Sequence, residues 1–242
     1  MMNEAHSGDL RNVRTRKIGK SILATAHELG VRHLAMEALY PDFADISNRT
    51  RKPPAVASGY LSQPEMLSLI QAALDLGWTI SSYEATDSGW MSSRFGPRPD
   101  DPKQLAEYLE KTRNARLSLE YTNWRELEQA RNLLTTLNSL PADGKLLVWC
   151  GNGHLMKSPL GDWTPMGYQF AQLSGLNPFV IDQTPTVEFN TGGSYGSDLV
   201  LQYGDELRKR NGTAGFLREE GPDNLRNQPS DAFLLSLDNK LE

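Results

Sequence analysis

The run Lys145-Leu146-Leu147-Val148-Trp149-Cys150 is the most restrictive feature of the sequence: the turn from Pro141 to Gly144 leads into it, and Gly151-Asn152-Gly153-His154 follows at once. Its apolar residues do not alternate with polar ones, so a strand built from them has no face for water and must be covered on both sides. A parallel sheet with helices on both faces supplies that cover, and the rest of the chain follows the same plan.

Asp9 is placed as an N-cap, and Val13, Ile18, Ile22, Leu23, Ala26 and Leu29 recur at helical spacing until Gly30. Residues 32 to 37 then read as a buried strand ending at Glu37. Pro64 opens a second helix with Met66, Leu67, Ile70, Ala73 and Leu74 on one stripe, and residues 78 to 84 form a strand ending at Glu84. A long or broken helix is expected over 103 to 139, a further helix over 163 to 174, and a short strand over 178 to 182. The expected fold is therefore α/β, a mostly parallel central sheet flanked by helices, in a single domain over the 242 residues. Residues 40 to 63 hold Pro41, Pro53 and Pro54 and read as a loop or lid, and the Gly- and Pro-rich stretch from 85 to 102 reads as a loop. Past residue 184 the signals weaken. A strand over 199 to 203, a loose charged segment over 205 to 230 and a last edge strand over 233 to 237 are expected, so that 205 to 242 is a polar C-terminal segment.

Composition removes several classes. The single cysteine, Cys150, excludes a disulfide scaffold and a Cys-based zinc ribbon, fits a reducing, cytoplasmic setting, and sits where a small core residue is expected. No apolar run approaches the roughly 20 residues of a membrane-spanning helix. A net charge of -5 argues against nucleic acid, whose phosphates call for a basic face. There is no G-x-S-x-G elbow, phosphate-binding G-x-x-x-x-G-K-[ST] or H-E-x-x-H, so serine hydrolases, nucleotidyl enzymes and zincin proteases lose ground, and the expected partner is a small-molecule substrate.

Ligands of such sheets bind beyond the carboxyl ends of the strands. Glu37, Glu84, His154 and the pair Asp182-Gln183 all fall at strand ends, and Glu4 and His6 join them if a strand runs into Asn3. Carboxylates and imidazoles gathered at the mouth of an apolar sheet suit general acid-base chemistry or a metal ion. On the first helix Arg14 is placed toward Glu4 and His6, as an anion binder or a salt-bridge partner, although Arg16 fits the spacing to Gly30 as well. Arg125 and Asn132 share a face of the long helix, whereas Glu126 reads first as a solvated charge and second as a partner in the site, and His27 and His33 read as dipole or surface partners.

Asn3-Glu4-Ala5-His6, Gly30-x-x-His33-Leu34-Ala35-Met36-Glu37, Tyr83-Glu84, Arg125-Glu126-x-x-x-Ala130-x-Asn132 and Val148-Trp149-Cys150-Gly151-Asn152-Gly153-His154, in that order, resemble the erythromycin esterase-like superfamily, which also takes in ChaN-like haem-binding and TIKI/TraB proteins. The resemblance spans residues 3 to 185. It implies a hydrolase of an ester or lactone in which His6 is the general base, supported by Glu4 and Glu37. His154 and an arginine would steady the oxyanion, with Glu84 and Arg125 completing the pocket. It requires no cofactor. The alternative is a haem- or metal-binding protein, or a metal-dependent peptidase, using the same His and Glu groups. Only Met1 and Met2 precede Asn3, so the first strand is expected to be truncated.

Overall fold

The computed structural model describes residues 1–4, 9–56, 59–183, 205–207, 209, 213–221 and 230–236. In chain order the elements that matter here are β1 (Met2–Glu4), α1 (Asp9–Glu28), β2 (Val31–Met36), α2 (Pro41–Thr50), α3 (Pro64–Asp75), β3 (Thr79–Ser82), α4 (Ser88–Phe95), α5 (Pro102–Ala115), α6 (Leu119–Asn138), β4 (Lys145–Gly151), α7 (Met166–Ser174), β5 (Ile181–Asp182), β6 (Thr213–Leu217) and β7 (Ala232–Ser236). The strands form one sheet in the order β3-β2-β4-β1-β5-β7-β6. Every pairing is parallel except β6 with β7.

The unalternating run in β4 is covered on both sides, as its composition demands. Trp149 packs into a core with Met2, Leu34, Met36 and residues of α1 and α3, while Val148 and Cys150 pack into a second core with Ala130 and Leu133 of α6 and Met166 and Phe170 of α7. Successive side chains of a strand point to opposite faces, and here each face has its own helical layer. The Trp149 ring fits because α1 has Gly19 opposite it: a Cβ there would stand 2.4 Å from Trp149 Cζ3. The three residues of β1 lie between β4 and β5, with Met2, Asn3 and Glu4 aligned to Trp149, Cys150 and Gly151. Short as it is, β1 occupies the middle of the sheet and is fully buried.

Three expectations about connections change. Residues 40 to 63 are not a loop throughout: they contain α2, for which Pro41 is a favourable first residue, its fixed φ and missing N–H costing nothing in the first turn. Asn48 of α2 accepts from Ile80 N–H and donates to Ile80 C=O, both at 2.8 Å, which satisfies the outer edge of β3. The expected loop after Glu84 contains α4, closed by Gly96 at φ 78°. Of the two forms expected over 103 to 139, the broken one is found, as α5 and α6, with the Ser118 side chain capping α6 by accepting from Tyr121 N–H at 3.1 Å. The segment over 205 to 230 contributes β6, which takes the sheet edge, so the strand at 232 to 236 is internal; Phe216 and Phe233 stack across that pair at 5.9 Å. The strand expected over 199 to 203 lies outside the described residues.

Candidate active site

The carboxyl ends of β2, β3 and β4 meet the first half of α6. Arg125 extends from that helix between two carboxylates: its Nε donates to Glu84 Oε1 at 2.8 Å, and its Nη2 to Glu84 Oε2 at 2.6 Å and Glu37 Oε1 at 2.7 Å. The stripe continues along the helix at i+4 and i+7. Gln129 donates to Glu84 Oε1 at 3.1 Å, and Asn132 donates to the carbonyls of Tyr83 and Glu84, each at 3.2 Å. One helical face thus clamps the end of β3. Glu37 is held independently, accepting Gly151 N–H on Oε2 at 2.8 Å. Ala38, next to Glu37, adopts a left-handed φ of 60°, a conformation that costs a non-glycine residue of order 1 kcal/mol and turns the chain sharply at the sheet edge.

His154 completes this group. Its Nε2 lies 3.2 Å from Glu37 Oε1, and its Nδ1 lies 2.8 Å from Glu126 Oε1. Glu126 is only 1% exposed and also accepts Trp163 Nε1–H at 3.2 Å and Met166 N–H at 2.5 Å, so a carboxylate caps the start of α7. The Gly151-Asn152-Gly153 turn brings the imidazole here. Gly153 packs so closely under Trp163 that a Cβ would stand 2.2 Å from the indole, and Gly167 N–H donates to His154 C=O at 2.7 Å.

A second group lies at the end of β1. Arg16 donates from Nε to Glu4 Oε2 at 2.8 Å and from Nη2 to Glu4 Oε1 at 3.2 Å, and also reaches Gln63. Tyr60 donates its hydroxyl to Glu4 and lies under the Arg16 guanidinium, 4.9 Å from ring centre to Cζ. Asn3 donates to Asp182 Oδ1 at 2.7 Å and accepts Gln183 N–H at 2.6 Å, which draws the end of β5 against β1.

Burial and charge pairing set the protonation of this edge. Burial disfavours the charged form of His154, but the bonds to Glu126 and Glu37 outweigh it and push its pKa up to about 10. Burial likewise opposes the Arg125 charge, and Glu84 and Glu37 more than restore it, raising its pKa. Desolvation, then Glu4, hold the Tyr60 phenol well above its ordinary range, and burial does the same to the Cys150 thiol. Cys150 is therefore a core residue.

Of the sequence-predicted site residues, Glu37, Glu84, Arg125 and His154 come together in one connected group, and Glu4 stands on the neighbouring strand. His6 lies outside the described residues. The arginine on Glu4 is Arg16 rather than the favoured Arg14, because Arg16 shares its face with Gly19 and Leu23, the face laid on the sheet. Arg14 is also buried, and desolvation lowers its pKa to about 10. Glu126 is not solvated: it lies on the buried stripe with Ala130 and Leu133, at spacings of four and seven, a signal present in the sequence. Tyr60, Gln63 and Trp163 had no such local signal.

No protein-family model matches the sequence, and no curated protein matches it. Among solved structures, the chain is similar to RRSP, a MARTX toxin effector domain from Vibrio vulnificus CMCP6, at TM-score 0.43 and 15% identity, over 76% of this chain and 32% of that one. It is also similar to the type III effector HopBA1, at TM-score 0.35 and 18% identity, over 74% of each chain. The chain thus spans about a third of the length of the first of these structures.

Proposed function

We propose that this chain is a hydrolase of an ester or lactone, with its reacting centre above the carboxyl ends of β1, β2 and β4. The observation that carries the reading is the Glu37 carboxylate, which gathers the Arg125 guanidinium, the His154 imidazole and Gly151 N–H at a sheet edge where ligands of such folds bind. Buried charges are expensive to desolvate, and a connected set of them at a strand-end mouth is a feature of sites that handle developing charge. Arg125 and Glu84 keep 27% and 25% of their side-chain surface exposed, and His154 keeps 14%, so the cationic groups are reachable from one side.

In this reading His6, two residues past Glu4, takes a proton from water, and the hydroxide adds to the carbonyl carbon. The oxyanion is stabilised by an N–H of Arg125 and by the positive charge of His154. When the tetrahedral species collapses, the C–O bond to the alkoxide breaks and the alkoxide recovers the proton from His6. An axial haem ligand would need a ring nitrogen with an available lone pair, and His154 turns both of its nitrogens to carboxylate oxygens.

The test is turnover of p-nitrophenyl esters and a lactone panel by the purified chain, with and without chelator. Hydrolysis should survive chelation and fall by roughly 10²-fold or more in both His6→Ala and His154→Gln, the scale for loss of a base or of a group that stabilises the oxyanion. Hydrolysis that persists in both variants would overturn the reading. So would a haem Soret band lost in His154→Gln in a protein without ester turnover.

A further inference from the structure

His154 faces two carboxylates whose other bonds favour one placement of the protons. Glu126 accepts Trp163 Nε1–H on Oε1 and Met166 N–H on Oε2, and both donors can only donate. Glu37 accepts the Arg125 guanidinium on Oε1 and Gly151 N–H on Oε2, and again neither donor can reverse its role. Bonds donated to both oxygens of both carboxylates favour the anionic form of each. The two short contacts of His154, 2.8 Å at Nδ1 and 3.2 Å at Nε2, are then hydrogen bonds that the ring donates.

From this we infer that Glu126 is a positioning residue that, together with Glu37, keeps His154 a doubly protonated imidazolium, so that in the hydrolytic reading His154 serves as a fixed positive charge and not as a base. The charged groups around the ring come from every neighbouring element. Glu126 and Arg125 lie on α6, Glu37 follows β2, Glu84 follows β3, and the start of α7 points its Met166 N–H at Glu126. Arg125 opposes a second positive charge beside Glu37, which is why the carboxylate on the far side of the ring is needed. The Trp163 indole lies edge-on to the imidazole at 6.4 Å and donates its Nε1–H to Glu126. A protonated ring cannot remove a proton from water, so the base has to come from another residue. That assignment rests on the hydrolase reading, whereas the charge state of the ring does not.

The experiment is 15N NMR of the histidine rings in the full chain, with His154 assigned by its loss in His154→Gln. Both ring nitrogens of His154 should show imidazolium shifts at pH 8. In Glu126→Gln the midpoint should fall by more than one pH unit, while Glu126→Asp, shorter but charged, should keep it above that of Glu126→Gln. A purely packing role predicts the opposite order, since glutamine preserves the volume. A wild-type His154 that titrates near 6.5 overturns the inference, and that measurement decides the matter even if Glu126→Gln fails to fold. An unchanged midpoint in a folded Glu126→Gln overturns it as well. Because no substrate is involved, a failed ester screen leaves this result standing and is distinguishable from it. Where turnover is found, the alkaline limb of its pH profile should move with the midpoint in Glu126→Gln.

Discussion

The sharpest structural prediction concerns Arg16→Met. Glu4 and Arg16 have 0% and 1% of their side-chain surface exposed and are joined by two hydrogen bonds, so deleting the guanidinium leaves a carboxylate in the middle of the sheet edge with its main counter-charge gone. Breaking a buried pair on one side costs about 3–5 kcal/mol, because the remaining charge keeps its desolvation penalty. For a chain of this size, ~1 kcal/mol is worth about 2–4 °C, so the melting temperature should fall by about 10 °C. Urea unfolding followed by circular dichroism at pH 7 measures the loss directly. Glu4→Gln combined with Arg16→Met should recover most of it, giving a coupling energy above about 2 kcal/mol, since replacing both members of a buried pair is far cheaper than orphaning one. The matching cycle with Arg14→Met should give coupling within about 0.5 kcal/mol. An Arg16→Met variant within about 1 kcal/mol of wild type, or equal coupling to both arginines, would refute the assignment of Arg16 to Glu4 and with it the orientation of α1.

Other consequences follow from the same contacts. His154 is protonated in the folded chain up to about pH 10 and has an ordinary pKa of 6.5 when unfolded, so its stabilising contribution is complete below pH 6.5 and is lost as pH rises toward 10. The unfolding free energy of wild type relative to His154→Gln should therefore shrink across that window, by at most about 1.4 kcal/mol per pH unit, and a pH-independent difference would contradict the ion-pair geometry. Gly19→Ala drives a methyl against the buried Trp149 ring and should destabilise by about 1–3 kcal/mol in urea, with no gain on cooling. Gly153→Ala meets the half-buried Trp163 ring, which can swing away from Glu126. Its melting temperature should stay within a few degrees of wild type while turnover on any hydrolysed ester drops, and the reverse pattern would separate Trp163 from the site.

The acidic half of the site was legible because strand ends are local features. β2 and β4 are apolar runs that stop abruptly, so Glu37 and His154 fall at the edge whatever the rest of the chain does. The α6 stripe was half legible: Arg125 and Asn132 are seven residues apart and were placed on one face, but Glu126 looked like a surface charge because its burial depends on α7 packing against α6. Tyr60 and Gln63 were out of reach. They sit in a stretch whose prolines suggested a lid, and they reach Glu4 across 56 and Arg16 across 47 residues of sequence. The helices α2 and α4 were missed for a related reason. Pro41 opens α2, and Gly89 and Gly96 lie within α4 or just past its end, so residues read as breakers were acting at helix termini.

The confusion of Arg14 with Arg16 shows how the site is built. Two residues along a helix are about 200° around it, so the two arginines cannot serve the same carboxylate, and only the packing of Gly19 against Trp149 fixes which one faces the sheet. That contact belongs to the layer of α1 and α3, and the one that fixes Arg125 belongs to the layer of α6 and α7. Each layer therefore delivers one arginine to the same sheet edge, Arg16 to Glu4 at the end of β1 and Arg125 to Glu37 beyond the end of β2. β4 lies between those two strands, and its residue Gly151 is aligned with Glu4 on one side and donates its N–H to Glu37 on the other. The two ion pairs are thus pinned from opposite faces of the sheet about a single glycine, and the chain leaving that glycine carries His154 to Glu37 and Glu126.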